Sequence, residues 1–125
     1  MQRGYKDLIV WNKSVDLVEI IYLLTEKFPK KEIFGITQQI RRASVSVPSN
    51  IAEGWARNTP KSFIHFINIA RGSLAELETQ LIMSKRLKFI STEDESKVFE
   101  LIDVISKMLN SLNSKLKKQV ESAPA

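Results

Sequence analysis

Apolar residues recur at steps of three and four in four separate stretches of the chain, and no stretch alternates at steps of two. In the first, Leu8, Trp11, Val15, Val18 and Tyr22 follow one another at this spacing, with Leu17, Ile21, Leu24 and Phe28 beside them. Ile40, Ala43, Ser44, Val47 and Ile51 form a stripe in the second. Phe63, Ile67, Ala70, Leu74, Leu77 and Leu81 form the third, and Val98, Leu101, Ile105, Met108, Leu112 and Leu116 the fourth. A period near 3.6 gathers each set on one face of a helix. The pattern predicts helices over 8–28, 37–56, 60–87 and 93–117.

The breaks between the stripes carry turn and cap chemistry. They are "FPKKEIFGIT", "GWARNTP" and "LKFISTEDE". Thr37 is the expected N-cap of the second helix. Thr59 then Pro60 reads as N-cap and first position of the third, where a missing N–H removes no hydrogen bond. Thr92 with Glu95 reads as a capping box for the fourth, and Gly54 is placed near the end of the second. Short connections between long amphipathic helices favour an all-α, up-down-up-down antiparallel four-helix bundle, one domain over 1–125, with a frayed "ESAPA" tail.

The stretch "SVPSNIAEGWAR" tests this reading, because Pro48 falls inside the second helix. The apolar stripe continues through it, so a kink at Ser44–Pro48 is expected and not a turn. The same helical wheel gathers Gln39, Arg42, Ser46, Asn50 and Glu53 into a polar stripe beside the apolar one, and leaves Arg41, Val45, Ser49 and Ala52 on the other flank. On the third helix Ser73, Glu76 and Gln80 lie beside the core stripe. Antiparallel packing about Asn58 would bring Arg42 level with Glu76, and Glu53 with His65. Such a stripe reads as a solvated face, as a partly buried network that fixes register, or as a ligand site. The small flank residues suggest a second contact surface and hence self-association.

Three blocks, "DLIVWNKSVDLVEIIYLLTEKFP", "FGITQQIRRASVSVPSNIAEG" and "FIHFINIARGSLAELETQL", resemble successive segments of a bacterial four-helix-bundle family. Its members include the proteins encoded in intervening sequences of large-subunit ribosomal RNA genes, with diversity-generating retroelement accessory proteins as more distant relatives. The resemblance covers residues 5 to about 115. It implies a bundle that assembles as a ring, a homopentamer, with no enzymatic activity and an association with nucleic acid or a nucleic-acid enzyme. The positions matching the family pattern are Gln39, Arg42, Ser46, Pro48, Asn50, Glu53, Gly54, Ser73, Glu76 and Gln80. One departure is "RLKFIS", where the family usually has a glycine near Lys88.

Composition narrows the chemistry. There is no cysteine, which removes disulfides, thiolate metal sites and cysteine nucleophiles. His65 is the single histidine, so a two-histidine metal site within one chain is excluded. Glu53 and Glu76 are the one conceivable acid–base pair, and Gly35, Gly54 and Gly72 are too scattered for a phosphate loop. Gly72 reads as permitting close helix packing. No apolar run has signal-peptide or membrane-span length, and a cytoplasmic protein without cofactor or small-molecule substrate is expected.

The net charge is +5 and the pI about 9.6. Residues 37–57 carry a net +2 and residues 58–88 a net +3. Lys85, Arg86, Lys88, Lys115, Lys117 and Lys118 end helices, where cations complement the dipole without a partner. Arg3, Lys6, Lys30, Lys31, Arg41, Arg57, Lys61 and Arg71 have no such explanation. Of these, Arg41, Arg57, Lys61 and Arg71 are the candidate nucleic-acid contacts. Trp55, beside Arg57, is either a stacking platform or a core-edge or interface residue. The leading expectation is a homo-oligomer that binds RNA or a ribonucleoprotein without sequence-specific readout. The alternative is an adaptor that docks a nucleic-acid enzyme such as a reverse transcriptase.

Overall fold

The second and third apolar stripes are buried whole, and the first and fourth in part. The computed structural model describes residues 4–122. They form α1 (Ile9–Thr25), α2 (Ile36–Ala56), α3 (Pro60–Arg86) and α4 (Thr92–Ser122), with short 3-10 turns at Gly4–Asp7 and Lys30–Glu32. Helix α1 packs on α2, α2 on α3 and α3 on α4, and α4 closes back on α1, which is the four-helix bundle in up-down-up-down order. Leu17, Ile21, Ile40, Val47, Ile51, Ile67, Leu77, Leu81, Val98, Ile105 and Leu109 are completely buried along its axis. In α1 the buried set is Val10, Ser14, Leu17, Ile21, Leu24 and Thr25. The neighbouring stripe led by Leu8 and Trp11 lies at the edge of the core, and Tyr22 is exposed.

The helix ends differ from expectation where two caps were chemically possible. Thr37 is not the N-cap of α2. Gly35 is, without a side-chain hydrogen bond, because Ile36 packs against the core and is already helical. Thr92 does not cap α4 either. Ser91, one residue earlier, accepts the Asp94 amide on its Oγ at 3.2 Å. Thr59 does cap α3, accepting the Ser62 amide at 3.1 Å, with Pro60 in the first turn. Helix α4 runs on to Ser122 through Lys, Gln and Glu, all good helix formers. The rest of the expected frayed tail, 123–125, lies outside the described residues. Helix α2 continues unbroken through a buried Pro48, which leaves the Ser44 carbonyl without its usual amide donor.

One glycine expectation holds and one changes. Gly54 lies near the end of α2, as expected, and at a close approach to α3: a Cβ there would stand 2.8 Å from Phe66 Cβ and 2.9 Å from Phe63 Cδ1. Gly72, expected at a close contact, is exposed with nothing within 4 Å of a Cβ. The turn after α3 explains why a glycine belongs near position 88. Lys88 is left-handed, with φ of 64°. Its amide bonds the Lys85 carbonyl at 2.9 Å, and the Phe89 amide reaches back to the Ser84 carbonyl at 2.9 Å. That paired closure normally recruits glycine, the residue without a Cβ penalty. Gly54→Ala is expected to destabilise the bundle by about 1–3 kcal/mol through overpacking. Lys88→Gly is expected to stabilise it by about 1 kcal/mol. Urea midpoints of the two variants, moving in opposite directions, check both.

Candidate nucleic-acid interface

The antiparallel register of α2 and α3 places Ser46 opposite Ser73, with the two hydroxyl oxygens 2.8 Å apart. Asn50 spends both amide hydrogens on Ser46, donating to its carbonyl at 2.8 Å and to its Oγ at 2.9 Å. Ser46 Oγ accepts from Asn50 and shares a hydrogen bond with Ser73 in which either hydroxyl can donate. These three of the eight stripe residues form one half-buried knot. Gln39, Arg42, Glu53 and Glu76 are exposed. Arg42 and Glu76 have no ion pair among the described residues, while Glu53 meets Arg57 at 3.4 Å. Gln80 is buried, and its Oε1 has no partner among the described residues. The face is thus a small hydroxyl–amide clasp with a charged, solvated margin.

The four candidate contacts divide. Arg41 is committed inside the chain: its Nε donates to Thr25 Oγ1 at 2.8 Å, its Nη2 lies 3.4 Å from Glu26, and its guanidinium stacks 4.6 Å from the Tyr22 ring centre. It also stands sixteen residues from Arg57 along α2, about 24 Å at the helical rise. Arg57 is exposed and rests its guanidinium over Phe66 at 5.1 Å. Lys61 is exposed, without an acidic partner among the described residues. Arg71 donates to Asn68 Oδ1 at 2.9 Å and lines a groove of about 500 Å³ between α3 and α4 that Glu78 and Asp103 also line. So Arg57 and Lys61 stand together at the α2–α3 turn, while Arg71 sits further along among carboxylates.

Charge separates along the bundle axis. At the end holding the start of α1, the α2–α3 turn and the close of α4, described residues 4–16, 48–74 and 105–122 carry nine basic against four acidic side chains. Residues 17–47 and 75–104, at the other end, carry nine against ten. There the acidic first turn of α4 neutralises lysines: Asp94 pairs with Lys27 at 2.9 Å and Glu95 with Lys85 at 2.6 Å. The Lys27 ammonium holds the Asp94 carboxyl below its ordinary value. Sequence reasoning set Lys115, Lys117 and Lys118 aside as dipole partners. The fold brings them to the same end as Arg57 and Lys61, and the alternating direction of the helices was the signal that could have found them.

Within this basic end lies a cleft of about 300 Å³, lined by Leu8, Trp55, Phe63, Leu112 and Leu116, with Asn58 and Gln119 among its polar residues. Trp55 meets Phe63 edge-on, ring centres 6.0 Å apart.

Residues 6–111, most of the chain, match the family described as 23S rRNA-intervening sequence protein. The chain belongs to that family. A crystal structure of a protein of unknown function from the S23 ribosomal protein family of Bacteroides thetaiotaomicron superposes with a TM-score of 0.76 at 27% identity, covering 84% of this chain and 98% of that one. No curated protein matches. In this intervening-sequence protein no helix among the described residues is long and apolar enough to cross a membrane.

Removing the Ser46 hydroxyl orphans groups on both helices, whereas the exposed carboxylates of the stripe have water to replace their partners. Ser46→Ala is expected to cost about 1 kcal/mol, and Glu53→Ala and Glu76→Ala less than about 0.5 kcal/mol each. Denaturation midpoints of the three variants test the ranking, which a larger loss from either glutamate would overturn.

Proposed function

We propose that this protein is a non-enzymatic, homo-oligomeric RNA-binding protein. It holds RNA or a ribonucleoprotein by its phosphates, at the end where α2 turns into α3 and α4 closes. The observation that carries this is the axial separation of charge: the net positive charge of the described residues gathers at one end. Arg57, Lys61, Lys115, Lys117 and Lys118 are exposed there, and a polyanion gains affinity with each of them that it neutralises. The name of the family, which refers to 23S rRNA, agrees with this reading. Arg41 serves the α1–α2 contact instead. No glycine- or aromatic-rich recognition motif accompanies the patch, so discrimination among sequences is expected to be poor.

Binding by phosphate neutralisation weakens steeply with salt, by roughly 0.7–0.9 in log–log slope per phosphate. Titration of a structured RNA is expected to give micromolar affinity at low salt and a slope of roughly −2 to −4. Charge reversal at Arg57, Lys61 or Lys117 should weaken it several-fold, and reversal at Lys85 at the far end should not. Equal effects at both ends, or no affinity at low salt, would refute the reading.

Self-association is supported by apolar side chains left on the surface. Phe34 is 88% exposed, Leu23 70% and Leu87 57%, all at the end away from the basic patch, and Val45 and Ile69 lie on α2 and α3. The same residues favour the second reading, an adaptor docking a nucleic-acid enzyme. Native mass spectrometry is expected to show one closed oligomer, a pentamer. A monomer at micromolar concentration would remove the ring.

A further inference from the structure

We propose that the cleft beside Trp55 receives one unpaired nucleobase of the bound RNA while the surrounding cations hold its flanking phosphates. The inference rests on the RNA-binding reading above and adds to it a preference for an unpaired nucleotide.

Three features of the cleft fit a base. Its lining is apolar and aromatic, and its volume of about 300 Å³ exceeds that of a single base ring. Trp55 and Phe63 meet at a near-right angle and do not stack face to face. The indole is only partly buried, with Gly4 packed beside its Nε1 and no hydrogen bond from that N–H among the described residues. Aromatic faces bind bases of any sequence, because every base presents a π-face.

The polar groups beside the cleft suit the edge of a base. Asn58 and Gln119 are exposed, and their side-chain amides make no hydrogen bond among the described residues. Asn58 is also left-handed, φ 62°, in the two-residue connection that caps α2 and precedes the Thr59 cap. An apolar site with a few unspent donors and acceptors is the ordinary form of a small-ligand pocket.

Charge complementarity selects the ligand from other planar molecules. Arg57 and Lys61 lie within three residues of Asn58 in the chain, and Lys115, Lys117 and Lys118 surround Leu116 on α4. A neutral aromatic metabolite would gain nothing from five cations, whereas a nucleotide within a strand brings a phosphate on either side of the base. A paired base has its edge occupied and its faces stacked. The occupant is therefore a nucleotide from a loop, bulge or single-stranded end.

The test titrates three labelled oligonucleotides, the first two of equal length and charge, against the full chain in its native oligomeric state. They are a single-stranded RNA, the same strand with abasic sites, and its perfect duplex, titrated by fluorescence anisotropy. The base-bearing single strand is expected to bind roughly fivefold or more tightly than the abasic strand. It should also quench Trp55 emission, read in a Trp11→Phe background. Gln119→Trp, an exposed substitution that drops a large ring beside the cleft, should remove the base-dependent advantage and leave abasic binding in place. Trp55→Phe should lessen the advantage without changing the salt slope. Equal affinity for abasic and base-bearing strands, or unchanged Trp55 emission, overturns the pocket while the phosphate-binding reading stands. No binding of any strand at low salt overturns both.

Discussion

The close approach of α2 and α3 at Gly54 governs the geometry of everything near it. With no Cβ on Gly54, Phe63 and Phe66 occupy the space a side chain would fill, and the two backbones come nearer than any other residue would allow. That contact sets the register between the helices. Ser46 then falls opposite Ser73 within hydrogen-bond reach, two turns away. It also fixes the turn: Trp55 lies edge-on to Phe63, and Arg57 is laid over Phe66. Those side chains border or line the cleft of the basic end, so packing in the bundle and the shape of the surface share one cause.

How much of this was legible depended on whether the information was local. The apolar stripes identified four helices and their order, because periodicity and burial are two statements of one constraint. Pro48 was rightly kept inside α2, since the stripe ran through it. Thr59–Pro60 was read correctly because both residues favour the same boundary. Thr37 and Thr92 were not, because a neighbouring Gly35 or Ser91 could serve, and packing of Ile36 decided one case. The left-handed Lys88 left no trace in composition; only the departure from the family pattern marked it.

The functional surface was less legible because it is assembled from distant segments. Arg41 looked like Arg57 in sequence. Only the approach of α1 showed that Thr25, Glu26 and Tyr22 claim its guanidinium. The stripe from Gln39 to Gln80 was a sound grouping by helical angle, yet angle says nothing of reach. Ser46, Asn50 and Ser73 are short enough to meet at the seam, while Arg42, Glu53 and Glu76 extend past it into water.

Helix α4 then explains why the charge sorts itself by end. Its acidic first turn complements the helix dipole, whereas Lys115, Lys117 and Lys118 lie short of the last turn, which carries no cation, so the dipole does not account for them. Folding adds an asymmetry that the helix alone does not contain. The acidic turn arrives beside lysines, Lys27 and Lys85, and its charge is cancelled there. The basic close arrives at the end where the α2–α3 turn has already placed Arg57 and Lys61, and its charge accumulates. Like charges gathered in this way repel, at a cost that salt reduces. Local helix stability alone would be served equally well by a neutral neighbourhood, so the accumulation asks for a counterion. A phosphate chain, multivalent and flexible, relieves the repulsion at several side chains together.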